Sequence, residues 1–288
     1  MWPFSKSQPV AASGILCEMT DYHSHILPGV DDGVKTMNES LQILAEMKHQ
    51  GVRKVWFTPH IMEDIPNTNA GLRERFQELK EKFRKPEDAY CGTVELNLAA
   101  EYMMDNLFAE RLEADDLLPI YEGGYRYLLV ETTGFTPPMN LLPVLKRIQT
   151  KGYRPLLAHP ERYLYMGTSY YCMLKQEQVA FQLNLPSLTG AYGTYIQKKG
   201  RIPVESRDVR PDRNRYAFFE AFQRMARNTD WQSRQGHALG TLPGMSRWPL
   251  SCAFGKSFSN FVRSCSKYSN CSGVSVSAGC PSESSPPS

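Results

Sequence analysis

Residues 21–33 read Asp21-Tyr22-His23-Ser24-His25-Ile26-Leu27-Pro28-Gly29-Val30-Asp31-Asp32-Gly33. Met19 to His25 has the pattern of a strand, and histidines at i and i+2 near its end project to the same face. Asp31-Asp32-Gly33 follows in a loop. Outward from this point the arrangement recurs. Strand signals at Val52 to Thr58 (VRKVWFT), Thr93 to Ala99, Tyr127 to Thr132 (YLLVET), Arg154 to Ala158 and Val179 to Leu185 alternate with helical patterns. Those helices are expected over Asn38 to Gln50, Leu72 to Lys85, Asn140 to Lys151, and from Thr189 to Lys199. In the first, Leu41, Leu44, Ala45 and Met47 fall near helical spacing, with Asn38 available as cap and Gly51 as stop. Strand-then-helix repetition predicts parallel strands joined by right-handed crossovers, in a layered or barrel α/β architecture.

Chemically equipped side chains stand where these strands end. His23 and His25 end the first, His60 the second (FTPH), Glu101 the third (LNLAAE), Glu131 the fourth (LLVE) and His159 the fifth (LLAH). The C-terminal strand ends are where an α/β barrel assembles its site. Four imidazoles with several carboxylates are a ligand set for Zn, Mn or Fe, and carboxylates can bridge two ions. Each residue alone has a structural explanation: a strand-end histidine can be hydrogen-bonded in place, Glu131 can cap a helix, and Asp32 can hold a turn beside Gly33. Five successive strands ending this way do not share one. His49, in the first helix, and Asp105, at a helix start, read as surface residues, and Tyr163, Tyr165, Tyr170 and Tyr171 as packing around a loop.

Composition bounds the class. With 288 residues, 41% hydrophobic and 22% charged, the chain can bury a sizeable core. No apolar run approaches the roughly 18 residues of a membrane span, and a cytoplasmic location is expected. The net charge of +3 conceals two unlike pieces. Residues 1–200 hold 21 Lys and Arg against 24 Asp and Glu, and residues 201–288 hold 12 against 6, with 13 Ser in the last 38 positions. The arginines of the second piece neither form a run nor line a helix face, so a nucleic-acid partner is not expected. Its cysteines, Cys252, Cys265, Cys271 and Cys280, have no C-x-x-C pairing, which argues against a zinc module.

The run from Asp21 to Gly33, followed in order by TPH, AAEY, LLVE and AHPERY, resembles the PHP (polymerase and histidinol phosphatase) superfamily. More narrowly, it is similar to the bacterial manganese-dependent protein-tyrosine phosphatases of capsular and exopolysaccharide clusters. The resemblance covers about residues 20–199. It implies a distorted α/β barrel of about seven βα units and a trinuclear metal centre. Carried over by motif, the metal ligands are His23, His25, Asp32, His60, Glu101, Glu131 and His159. Arg162, in His159-Pro160-Glu161-Arg162, is the implied catalytic arginine and binds the substrate phosphate. Manganese, up to three ions, is the implied cofactor, with Zn or Fe as alternatives. The implied chemistry is attack on phosphorus by a hydroxide that adjacent cations generate, with no cysteine nucleophile. The Cys-x5-Arg loop of the cysteine-dependent phosphatases is absent, since Cys17, Cys91 and Cys172 have no Arg at that spacing. The implied partner is a phosphotyrosine protein, the tyrosine kinase of a polysaccharide-export system.

The pattern breaks at the C-terminal side. The family supplies its last ligands from an Asp-x-His element after a helix like the one starting at Thr189, and no Asp-x-His occurs beyond Lys199. Residues Arg213-Asn214-Arg215-Tyr216-Ala217-Phe218-Phe219 can be written AGG AAC AGA TAC GCA TTC TTT. Read from the second base, that string encodes Gly-Thr-Asp-Thr-His-Ser. The same shift permits Gly-Met-Tyr-Asp-Leu from Arg207 to Pro211. The expected organisation is therefore a polar leader over 1–19, a phosphatase domain over 20–200 with its barrel incomplete at the C-terminal end, and an aberrant Arg- and Ser-rich tail over 201–288 that is out of frame. Two other readings are another phosphomonoesterase of the superfamily acting on a small substrate, and a metal-binding remnant without catalysis.

Overall fold

Leu128-Leu129-Val130 and Leu156-Leu157-Ala158 show no polar alternation, the pattern of strands covered on both faces, and none of the six is more than 1% exposed. The computed structural model describes residues 16–83, 94–188 and 192–205, and it sets these runs side by side in a parallel sheet. In the first ladder β1 (Thr20–Ser24) pairs with β2 (Lys54–Phe57), and β2 with β4 (Glu95–Leu98). In the second, β3 (His60–Ile61), β5 (Glu101–Met103), β7 (Tyr125–Glu131), β8 (Arg154–Ala158) and β9 (Ala180–Gln182) follow in that order, all parallel.

The two ladders are halves of one. Only Thr58-Pro59 separates β2 from β3, and only Ala99-Ala100 separates β4 from β5. Pro59 has no N–H to give, which interrupts the pairing. The Ala99 N–H donates to Phe57 O at 2.8 Å and the Glu101 N–H to Pro59 O at 3.0 Å, carrying the register across the gap. The sheet curls far enough that side chains of its first and last strands meet, with His23 Nδ1 2.7 Å from Gln182 Oε1. Among the described residues no backbone ladder joins β9 to β1.

Helices connect successive strands and cover the sheet. The first, α1 (Met37–His49), buries Ser40, Ile43, Leu44 and Met47 at i, i+3, i+4 and i+7. Thr36, not Asn38, is its N-cap: Thr36 Oγ1 accepts from the Glu39 N–H while the Glu39 carboxylate accepts from the Thr36 N–H. Ala45 is exposed, as is His49. The next two are α2 (Asn69–Phe83) and α3 (Asn106–Ala114), the latter capped by Asp105 accepting the Phe108 N–H at 2.9 Å. Then α4 (Leu141–Thr150) buries Leu141, Leu145 and Ile148, each contributing about 1.5–3 kcal/mol of burial. Behind it lie α5 (Thr168–Gln176), α6 (Leu185–Leu188) and α7 (Thr194–Glu205).

The structure departs from the sequence expectations elsewhere too: His60 opens β3 and Glu101 opens β5, each across a two-residue gap from the strand it was expected to end. Tyr125 to Glu131 is preceded by an antiparallel partner, β6 (Ile120–Glu122), joined to β7 through Gly123 and Gly124 at φ +57° and +79°. Both positive angles are what a two-residue hairpin turn needs, and glycine takes them without steric cost. The expected strand Val179 to Leu185 is shorter, because Leu185 already starts α6. The last helix starts at Thr194 instead of Thr189, which lies outside the described residues. The leader over 1–15 and the tail from 206 onward also lie outside them. No helix among the described residues is long and apolar enough to cross a membrane.

A small apolar group, Tyr22, Trp56, Ala99, Ile120, Tyr127, Leu129, Leu156 and Ala158, is separate from the main core. Tyr127, Leu129 and Glu131 alternate along β7 on one face, so this group forms the floor below the carboxylate that ends the strand.

Candidate metal centre

The strand-end residues converge on Glu101, which is completely buried. Its Oε2 lies 3.0 Å from His23 Nε2, 3.1 Å from His25 Nε2 and 3.2 Å from His60 Nδ1, and its Oε1 lies 3.1 Å from His159 Nε2. Glu131 Oε1 is 3.0 Å from His60 Nδ1, and Oε2 is 3.8 Å from His159 Nε2. Asp32 Oδ1 stands 3.7 Å from His60 Nε2 at the more exposed edge. Three overlapping triads have ligand atoms within 4.8 Å of one another: His23, His25 and Glu101; His25, Asp32 and His60; His60, Glu101 and Glu131.

Local backbone geometry sets this arrangement. The register shift between Asp21 and Ser24 ends β1 irregularly, and His25 then begins the loop. That loop folds back tightly: the Val34 N–H donates to His25 O at 3.0 Å, and the Gly33 N–H to Asp31 Oδ1 at 2.8 Å. A Cβ on Gly33 would stand 2.1 Å from His25 O, so only glycine fits. At the other side, His159 sits at φ +33°, a left-handed conformation that costs a non-glycine residue about 1–3 kcal/mol. This turn swings its ring into the cluster and starts the short 3-10 turn Pro160–Arg162. Arg162 is half-buried there, its guanidinium carbon 5.5 Å from the centre of the Tyr192 ring. Tyr163 and Tyr171 are buried, and Tyr163 stacks on Tyr165, which is the packing expected of the tyrosines.

The donor set fits cations better than it fits internal hydrogen bonds. His60 Nδ1 and Glu131 Oε1 are 3.0 Å apart and both buried, yet neither makes a hydrogen bond. Two buried polar atoms this close without a hydrogen bond are suited to share an ion, and both belong to the His60, Glu101 and Glu131 triad. His159 Nδ1 is likewise buried without a hydrogen bond. Asp31 supplies what the sequence reading did not anticipate. Its Oδ2 is 2.6 Å from His25 Nδ1 and accepts that ring's proton, which leaves Nε2 to face the cluster, the usual outer contact of a metal-bound histidine. Asp31 also accepts the His60 N–H at 3.2 Å. Of two adjacent aspartates, Asp31 is buried against the histidines and Asp32 is half-exposed.

The electrostatics are those of a site that exchanges protons for cations. Burial works against the His25 imidazolium, but the Asp31 and Glu101 carboxylates overcome it and hold its pKa well above the ordinary value. Burial and the neighbouring His25 oppose charge on His60 as well, and Glu101 with Glu131 raise it. His23 is lowered, chiefly by burial. Burial works against the charge on Glu101, but the histidines around it hold its pKa well below the carboxylate range. Burial opposes Asp31 too, and His25 outweighs it, bringing Asp31 down to about 2. A cation takes an imidazole lone pair only after the proton has left, so the raised His25 and His60 must release protons on binding. Metal affinity is therefore expected to rise with pH through neutrality and to level off above the histidine pKa values. Titration calorimetry in two buffers of unlike ionisation enthalpy checks this. Different apparent heats are expected, and identical heats near neutral pH would contradict it.

Imidazoles and carboxylates gathered toward the C-terminal ends of a curled parallel sheet make an α/β protein whose clustered side chains could hold a metal ion. The chain belongs to the CpsB/CapC family of capsular polysaccharide synthesis, whose model matches residues 19–206. It is 29% identical to CapC of Staphylococcus aureus over 191 residues, 65% of this chain and 72% of that protein. It is 28% identical to the tyrosine-protein phosphatase YwqE of Bacillus subtilis over 185 residues, 62% of this chain and 69% of that one. Among solved structures it is similar to a chain from the study of YwqE from Bacillus subtilis and CpsB from Streptococcus pneumoniae, described as unique metal-dependent tyrosine phosphatases. That likeness has a TM-score of 0.59 and 26% identity, covering 70% of this chain and 84% of the other.

Proposed function

We propose that the chain is a metal-dependent phosphatase that hydrolyses phosphotyrosine in proteins, within the regulation of capsular or exopolysaccharide synthesis. The observation that carries this reading is the convergence of His23, His25, His60 and His159 on Glu101, with Glu131 and Asp32 at its rim. These seven residues are the proposed ligands of manganese, up to three ions. When bound, such ions supply positive charge to the phosphoryl oxygens and acidity to water.

The protein's own part is to prearrange the donors and keep them dry. Glu101, buried and anionic, holds four imidazoles on one point, so little reorganisation accompanies binding. Arg162 follows His159 by one short turn, and its planar guanidinium suits two phosphoryl oxygens at once. The proposed physiological substrate is the tyrosine-rich tail of a cytoplasmic polysaccharide-export kinase. The missing Asp-x-His beyond Lys199 makes reduced turnover part of the same proposal.

Phosphotyrosine and phosphoserine peptides of matched sequence test the reading in a frame-restored chain. Phenolate leaves more readily than alkoxide, so phosphotyrosine is expected to be hydrolysed faster. Activity should survive alkylation of thiols and vanish with chelator, because among the described residues the cysteines, Cys17 and Cys172, stand outside the cluster. Equal rates on phosphotyrosine peptide and histidinol phosphate would favour a small-substrate phosphoesterase instead.

A further inference from the structure

Gln182 ends β9, where the run of strand-end ligands would place one more, but it carries an amide. It is buried, and both ends of that amide are occupied. Oε1 stands 2.7 Å from His23 Nδ1 and accepts the His159 N–H at 3.3 Å, and Nε2 donates to Leu183 O and Asn184 Oδ1 at 3.0 Å each. The backbone N–H of His159 can only donate, so the atom facing it is the amide oxygen. An amide oxygen can only accept, so the second group on it, His23 Nδ1, carries a proton. With a proton held on Nδ1, Nε2, the atom that faces Glu101 and His25, is the nitrogen left for an ion to take. One amide thus ties together two histidines from different strands, His23 through its side chain and His159 through its backbone. A further chain of contacts anchors that amide: the Asn184 N–H donates to Glu161 Oε1 at 3.1 Å, and Ser187 Oγ donates to the same oxygen at 2.6 Å.

Resting on the metal-centre reading above, we propose that Gln182 is a positioning residue that locks His23 in its Nδ1–H form and aims Nε2 at the ions, while holding the β8 and β1 ligands at a fixed spacing. Outer contacts of this kind set ring orientation and ligand basicity, and their loss typically costs ~10–100-fold in metal affinity.

The test compares manganese affinity of the full chain with that of Gln182→Leu and Gln182→Glu, alongside thermal melts of the metal-free proteins. Gln182→Leu keeps the volume and removes the acceptor, and affinity is expected to fall by about 10–100-fold. Gln182→Glu keeps the acceptor for both N–H groups. Asn184 Nδ2, buried without a hydrogen bond, can turn to meet its second oxygen. Leu183 O loses its donor, a cost the melt reads, but the contacts to His23 and His159 persist, so parent-like binding is expected. A merely structural role would lower affinity in both variants or in proportion to lost stability, and either pattern overturns the proposal, as does parent-like binding by Gln182→Leu. A third readout does not depend on any variant folding. Histidine nitrogen NMR of the zinc-loaded parent should show His23 protonated on Nδ1, and a proton on Nε2 overturns the assignment. Failure of the parent to bind any divalent ion would instead remove the metal-centre reading, and so is distinct from failure of the Gln182 role alone.

Discussion

Glu101→Gln is expected to abolish metal binding and to destabilise the fold in the same step. The substitution keeps shape and removes the one charge that faces His23, His25, His60 and His159 from the buried side. Leaving buried cations without their counter-charge costs about 3–5 kcal/mol. The loss depends on pH with a definite sign. His25 and His60 are held above their ordinary pKa partly by Glu101, so the penalty is full while they are protonated and shrinks as pH rises through their pKa values. By contrast, Glu95→Gln removes a half-exposed partner of Lys54, a contact worth about 0–1 kcal/mol, and leaves metal content unchanged. Denaturant unfolding at two pH values with metal analysis of each variant measures both effects. A Glu101→Gln protein with parent-like metal content would remove Glu101 from the centre of the site.

Restoring the other frame after about Gly200 is expected to raise turnover strongly. The out-of-frame reading of Arg213 to Phe219 contains Asp-Thr-His, the Asp-x-His element that the chain lacks beyond Lys199. A centre short of an aspartate and a histidine loses charge and coordination at one of its positions. Removing even an outer contact costs 10–100-fold, so the restored protein should exceed the present chain by at least about 100-fold in kcat/KM on a phosphotyrosine peptide. Both forms are expressed, loaded with manganese and assayed side by side. Comparable rates would mean that the present tail supplies its own ligands, with Asp208, Asp212 and His237 the residues to replace.

His60, Glu101, Glu131 and His159 are legible in the sequence because each closes an apolar run, and burial of the run forces its polar end to a defined place. The parallel order is legible for the same reason, since uninterrupted stretches such as LLV and LLA have no wet face. Asp31 is not legible as the buried member of its pair. Two adjacent aspartates before a glycine look alike until the Gly33 turn presses one against His25. Gln182 is silent because a neutral amide is a weak ligand beside imidazole and carboxylate, and its contact with His23 exists only through the curl that brings β9 to β1. The Thr36 box and the Gly123-Gly124 hairpin are local signals present in the sequence. Asn38 is an equally good capping residue nearby, and a three-residue strand such as β6 carries too little periodicity to stand out.

The most direct test of the central claim, that these strand ends form a metal centre, is elemental analysis of the protein grown in manganese-supplemented medium and purified without chelator. Bound manganese is expected, reduced in His60→Ala because that change removes a nitrogen no neighbouring side chain replaces. Protein that emerges free of manganese, zinc and iron under these conditions would contradict the account.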